Sequence, residues 1–365
     1  RGLFAILYLC FGRTIRILSC LVLQLIPDVR QLCYSSRIYC MRKVLWAVLF
    51  ASQLFSSCRQ KVTITEKMAF PQEKRVQAVK FPVGDVMNPS YMIQKGDYLL
   101  VRSGQPKKQL FVFTVPDLNF VCATGNKGKG PNEIPFPPML VESRTDTLYV
   151  FGYAYRHLKS LKVDSVACVH LTERYEIPLY EAFNHMHLID DSVLLYETVM
   201  LPQYAVYKYD LKNRKSIDEL KIERETPESE LTFDTSRGYM AANDSVMIYV
   251  YLYKNQIDIY DVKDFRLKRR IVGVYKPQKP AFRNKELYYL GVIPGDKYFY
   301  ALFKGERTEK GENRSNTIEV YDYDGNPVAL YRFDIPPLYF YPDEKNNCIY
   351  ATHPSCMDTL LRYDL

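Results

Sequence analysis

Residue types able to do chemistry are few and unevenly placed along this chain. Of its five histidines, His185 and His187 stand two apart, which on a strand puts both imidazoles on one face, the start of a metal set. No Cys, Asp or Glu stands at a spacing that completes it, so no metal is expected. The densest glycine cluster is Gly125-Asn126-Lys127-Gly128-Lys129-Gly130-Pro131-Asn132-Glu133. A phosphate-binding loop needs Gly-Lys-Ser/Thr opening a helix, whereas Pro131 and Asn132 follow Gly130 here, so the glycines read as tight-turn residues of a connector. Nucleophile elbows, zinc-protease helices and dinucleotide fingerprints do not occur, and no cofactor is expected. The carboxylates of a glycosidase or lyase leave no local signature, so an enzyme acting on a polysaccharide stays open.

The elements that must position such residues announce themselves by repetition. Six copies of one pattern run from about residue 97 to the C-terminus at intervals of roughly 45 to 53 residues, a period that marks a propeller. Each copy has a polar turn, an alternating apolar run, a variable loop and a second apolar run that usually closes in Tyr/Phe-Asp. Gly96-Asp97, Asp146, Asp190-Asp191, Asn243-Asp244, Gly295-Asp296 and Asn346-Asn347 open the six copies. Period-two alternation and enrichment in Val, Ile, Tyr and Phe make the runs strands, so the fold is all-β, a six-bladed β-propeller. The 31 Tyr and 19 Phe suit radially packed sheets, which need large side chains between blades. Leu365 follows directly on the third strand of the last copy. The alternating stretch from Arg75 to Phe81 is therefore expected to close the ring as the outer strand of the last blade, removing exposed edges.

In a propeller, loops joining second and third strands emerge on the same face as the connections between blades. Here that face collects Arg102, Lys107, Lys127, Lys129, Glu133, Tyr155, Arg156, His157, Glu197, Tyr253, Lys254, Lys304, Arg307 and His353. Taken singly these are solvated loop residues; taken together they form the candidate ligand face, because ligands sit where several loops converge.

Upstream of the repeats, Met41-Arg42-Lys43, an apolar run from Val44 to Ala51 and Leu54-Phe55-Ser56-Ser57-Cys58 resemble a bacterial lipoprotein leader, with Cys58 as the lipidated residue. The expected organisation is a non-native upstream extension over 1–40, a signal peptide over 41–58, a tether over 59–73 and the propeller over 74–365. Of the chain's net charge of +8, residues 1–40 supply four (five Arg against one Asp) and Arg42 and Lys43 two more. The remainder is nearly neutral, and nucleic acid is not expected as a partner. Beyond Cys58 only Cys122, Cys168, Cys348 and Cys356 remain, read as buried thiols, although Cys348 and Cys356 flank one loop and are near enough in sequence to pair.

At the glycine cluster the sequence resembles a particular family, the six-bladed TolB-like propeller lipoproteins of Bacteroides-type bacteria. Gly125, Gly128, Gly130, Pro131 and Glu133 match the pattern Gly-x-x-Gly-x-Gly-Pro-x-Glu, and the resemblance covers about residues 60–365. It implies an outer-membrane lipid anchor. Such bacteria mark surface-exported lipoproteins with acidic residues after the Cys; Arg59-Gln60-Lys61-Val62 stands here instead, which favours an anchor facing the periplasm. The family's chemistry is largely uncharacterised. The expected function is a binding or scaffold protein for a protein, glycan or other envelope partner on the loop-rich face. The alternatives are a polysaccharide hydrolase or lyase, or a small-ligand sensor using the same face.

Overall fold

The computed structural model describes residues 62–365 apart from 85–87, 105–106, 129, 131–132, 135–137, 144–146, 153–156, 164–168, 178–182, 199–203, 223–235, 275–285 and 305–315. The leader with Cys58, the upstream extension, Lys129, Tyr155, Arg156, Arg307 and Cys168 lie outside the described residues. Every regular element described is a strand.

Three short strands come first, β1 (Thr63–Glu66), β2 (Glu73–Val76) and β3 (Val79–Pro82). Blade one is β4 (Ser90–Lys95), β5 (Tyr98–Arg102), β6 (Leu110–Thr114) and β7 (Phe120–Thr124). After the connector pair β8 (Asn126–Lys127) and β9 (Glu133–Ile134), blade two is β10 (Pro138–Ser143), β11 (Leu148–Gly152), β12 (His157–Val163) and β13 (Val169–Glu176). Blade three is β14 (Phe183–Leu188), β15 (Val193–Thr198), β16 (Ala205–Asp210) and β17 (Lys215–Lys221). Blade four is β18 (Gly238–Ala242), β19 (Val246–Tyr251), β20 (Gln256–Asp261) and β21 (Leu267–Val272). Blade five is β22 (Tyr289–Pro294), β23 (Tyr298–Phe303), β24 (Thr317–Asp322) and β25 (Pro327–Phe333). Blade six has β26 (Tyr339–Asp343), β27 (Cys348–Thr352) and β28 (Thr359–Asp364).

Local chemistry explains the repeat. The acid closing the third strand of blades three, four and five folds the next turn: Asp210 Oδ1 accepts the N–H groups of Lys212 and Asn213 at 2.9 Å, Asp261 Oδ1 accepts that of Lys263 at 2.9 Å, and Asp322 Oδ1 accepts that of Asn326 at 2.7 Å. The residue opening the copies of blades three and four does the same for the first hairpin, where Asp190 Oδ1 accepts from Ser192 and Val193 and Asn243 Oδ1 from Ser245 and Val246. Asp and Asn recur because their short side chains replace a backbone turn bond. Between these turns the second strands are buried on both faces, as in all six residues of β19, whereas the outer β17 alternates and is mostly exposed. Apolar burial thus concentrates between blades.

The ring is closed as expected in kind but by a longer device. β3 pairs antiparallel with β28, Leu360 opposite Phe81, and supplies blade six with its fourth strand. Arg75 and Val76, expected in that closing strand, belong instead to β2, which lies parallel to β25 on the edge of blade five. The alternation breaks at Gln77-Ala78, where the chain crosses between blades and Ala78 N–H donates to Asp334 Oδ1 at 3.0 Å. Residues expected as a tether are structural too: β1 lies parallel to β21, Thr63 opposite Arg269, on the edge of blade four. A single segment therefore straps the outer edges of blades four, five and six. Phe70 packs edge-on against Tyr321, and Lys67 reaches inward to Glu319, with Asn255 Oδ1 and the Tyr289 hydroxyl each at 3.3 Å.

Blades two and three are joined at the axis, where β10 pairs parallel with β14 and sets Glu142 beside His187. Cys122, Cys348 and Cys356 are free thiols, so Cys348 and Cys356 do not pair with each other.

Candidate functional site

The first strand of every blade faces the axis, and these six strands enclose a cavity of about 270 Å³. Its lining comes from the early residues of each, among them Tyr91 of β4, Met139 of β10, Met186 of β14, Tyr239 of β18, Gly291 of β22 and Tyr339 of β26. That end of the inner strands is the one reached by the between-blade connections, so the cavity opens on the loop-rich face. A second cavity of about 330 Å³ lies at the other end, lined by Gln94, Lys95, Asp296 and Lys345 among others, and Glu142 borders both.

Polar groups in the first cavity are held in place by neighbours. Arg102, where β5 runs into its loop, donates through Nε to Ser90 Oγ at 3.0 Å and through a terminal nitrogen to the Pro138 carbonyl at 3.1 Å. Its guanidinium lies 4.4 Å from the centre of the Tyr91 ring. Burial pulls the Arg102 pKa down, opposed by Tyr91 and Tyr339, and no carboxylate pairs with it among the described residues. Tyr91 and Tyr339 stand 4.3 Å apart between ring centres, and burial, reinforced by Tyr339, pushes the Tyr91 hydroxyl up to about 12.

His185 and His187 alternate along β14, as expected for one face, but each is claimed by a non-metal partner. His185 Nδ1 lies 2.8 Å from Glu197 Oε2, a carboxylate with no exposed side-chain surface that also accepts from the Tyr249 hydroxyl at 3.2 Å. His187 Nε2 lies 3.2 Å from the Met240 carbonyl, which fixes the proton on that nitrogen. Burial, helped by His185, pulls His187 down to about 3, so the ring is neutral. Glu142 turns part of its surface to the cavity yet sits deep among protein atoms. Burial pushes its carboxyl up to about 7 against the pull of Lys95 and of the Tyr341 hydroxyl at 3.4 Å.

The two shifts have opposite linkage signs. Raised from 4.5 to about 7, Glu142 contributes stability that is complete below pH 4.5 and lost as pH rises to 7. His187, lowered from 6.5 to about 3, contributes stability that is complete above pH 6.5 and lost as pH falls. Relative to wild type, Glu142→Gln is expected to lose on the order of 3 kcal/mol of stability between pH 7 and pH 4.5, read by urea denaturation across that window. A pH-independent difference between the two proteins contradicts the assignment.

Of the residues expected on the ligand face, Arg102 lines the cavity and Glu197 stands one layer behind it, orienting His185. Lys254 is not a solvent-facing cation; it is 3% exposed, its Nζ 4.8 Å from the centre of the Tyr251 ring. Tyr253 and Lys304 are half-buried, and Lys304 is tied by its backbone to the Tyr288 carbonyl. His157 opens β12 opposite Gly152 and Glu176, and His353 sits in the β27–β28 loop with Nδ1 2.6 Å from Ser355 Oγ. Lys127 and Glu133 belong to the connector. There Gly125 has φ +81°, and a side chain on Gly128 would collide with the Glu133 carboxylate, which accepts the Gly130 N–H at 2.7 Å. The Gly-rich motif is thus a self-capped turn. Tyr91, Glu142, His187, Tyr239 and Tyr339 have no loop signal; their signal is an inward position on a first strand, readable once blade order is known.

A family model described as TolB-like 6-blade propeller-like matches residues 69–340. Among solved structures, a presumed exported protein from Bacteroides fragilis superposes with a TM-score of 0.52 at 12% identity, over 83% of this chain and 98% of that one. A member of the DUF4221 family from Bacteroides vulgatus gives 0.48 at 14% identity, over 81% and 97%. A gluconolactonase from Xanthomonas campestris gives 0.45 at 11% identity, over 79% and 90%. At these identities the likeness is one of fold. No curated protein matches the sequence.

Proposed function

Since the chain belongs to the family of TolB-like six-bladed propellers, we propose that it is an extracytoplasmic binding protein that takes a small ligand, or the end group of an envelope partner, into the axial cavity of its loop-rich face. The observation that carries this reading is preorganisation: Arg102, His185 and His187 are each fixed by a neighbour before any ligand arrives, between aromatic and Met walls. Such a site spends little ordering entropy on binding. The test is native mass spectrometry of protein recovered from its own cells, wild type against a cavity-filling Gly291→Phe variant. A bound mass present only in the wild type supports the reading; equal capture refutes it.

The exported description of the Bacteroides fragilis neighbour and the lipobox ending at Cys58 support export and lipid anchoring. Cys58→Ala is expected to abolish fatty-acid labelling and to shift the protein from membrane to soluble fraction; a labelled variant contradicts it.

A second reading, a polysaccharide-active enzyme, draws on His185 held by Glu197, the arrangement of an oriented general base. Glycoside hydrolysis by paired acids needs a second carboxylate facing Glu142, and the described lining supplies Glu142 alone. Binding is the better-supported activity.

A further inference from the structure

Three groups in the axial cavity constrain the ligand's chemistry. Arg102 is a partly buried cation whose partners, the Ser90 hydroxyl, the Pro138 carbonyl and the Tyr91 ring, are all neutral among the described residues. A buried charge without a counter-charge is costly, and an entering anion removes that cost. The described lining offers one such cation, which matches one negative charge. A phosphate dianion is served by several cationic or N–H donors and would meet Glu142 in the same cavity. The carboxyl of Glu142 exchanges hydrogen bonds with hydroxyls, and His185, whose Nδ1–H donates to the Glu197 carboxylate, presents Nε2 to a ligand hydroxyl. Tyr91, Tyr239 and Tyr339 supply flat apolar faces for a ring.

We propose that the ligand of this cavity is a hydroxylated carboxylic acid about the size of one sugar ring, its carboxylate on Arg102 and its hydroxyls on His185 and Glu142. The assignment rests on the binding reading above and names the ligand of that same site. A cavity of about 270 Å³ holds one ring rather than a chain, so a free sugar acid or the terminal uronic residue of a glycan satisfies the same contacts.

Calorimetric titration of the propeller with glucuronate, glucose, acetate and a galacturonate trimer tests it. Glucuronate is expected to bind with a Kd near or below about 1 mM, at least about ten-fold tighter than glucose, which lacks the charge, and acetate, which lacks the hydroxyls. Arg102→Met is expected to erase the preference for glucuronate over glucose. Tighter binding of the trimer identifies a glycan end as the source, and tighter binding of the monomer a free acid. Equal affinity for glucose and glucuronate, or absence of glucuronate binding, overturns the inference without any variant. If glucuronate fails while Gly291→Phe still abolishes capture of a cellular ligand, this assignment falls and the binding reading stands. If Gly291→Phe leaves capture unchanged, the reading itself falls.

Discussion

A chain shortened to begin at residue 83 is expected to lose its cooperative unfolding transition and to aggregate at concentrations where the full propeller is monodisperse. The truncation removes the edge partners of three blades at once. Blade six loses its fourth strand, exposing the backbone of β28 from Thr359 to Arg362, and blades four and five lose the parallel partners of β21 and β25. Unpaired edges template association. Two apolar anchors go as well, the buried Val76 at 4% exposure and the half-buried Phe70 against Tyr321. The polar anchor is Lys67, whose loss leaves Glu319, 3% exposed at its side chain, with the hydroxyls of Tyr289 and Tyr321 as remaining partners. Lys67→Met alone, with the strands kept, is expected to cost about 3 to 5 kcal/mol, because breaking a buried pair from one side strands the other charge. Circular dichroism melts and size-exclusion chromatography check the truncation, and urea denaturation the point variant. An unchanged melt for the shortened chain would show that the outer strap is ornamental to the ring.

The second large effect is on binding alone. Gly291 lies on β22 beside an irregularity in its pairing with β23, and no heavy atom lies within 4 Å of where its Cβ would stand. Gly291 lines the cavity, so an aromatic ring added there is expected to fill it, and strand geometry favours an aromatic over glycine. Gly291→Phe should therefore keep or slightly raise the melting temperature while ligand affinity falls by at least about a hundred-fold, since the ring occupies space the ligand needs. Titration with any ligand identified by native mass spectrometry measures this. Retained affinity in a stable Gly291→Phe protein would move the site out of the axial cavity.

Why the ring is legible in the sequence while its strap is not follows from the range of the interactions. Asp210, Asn243 and Asp322 bond to groups two to four residues away, so their recurrence is local and visible as a period. β1 and β2 are four residues long and take their register from Arg269–Val272 and Leu330–Phe333, more than two hundred residues on, so no local pattern distinguishes them from a tether. Candidate site residues divide the same way. Arg102 is visible because it stands where a strand meets a loop. Lys254 stands in an equivalent loop, and nothing in the sequence says that its ammonium turns onto Tyr251 rather than to solvent. His185 and His187 show a shared face but not their partners, which lie 12 and 53 residues away. Glu142 becomes an axial residue only once the blade order makes β10 a first strand, and its parallel pairing with β14 sets it beside His187.

The account's central claim is that the axial cavity on the loop-rich face is where a ligand is held. A crystal structure of the protein purified directly from its native cells, with no ligand added, tests it most directly. The expected result is continuous density within the cavity, in contact with Arg102 and His185 and ending short of Glu197. Density seated instead in the opposite cavity beside Lys95 and Lys345, or on the outer blade edges with the axial cavity holding only water, would contradict it.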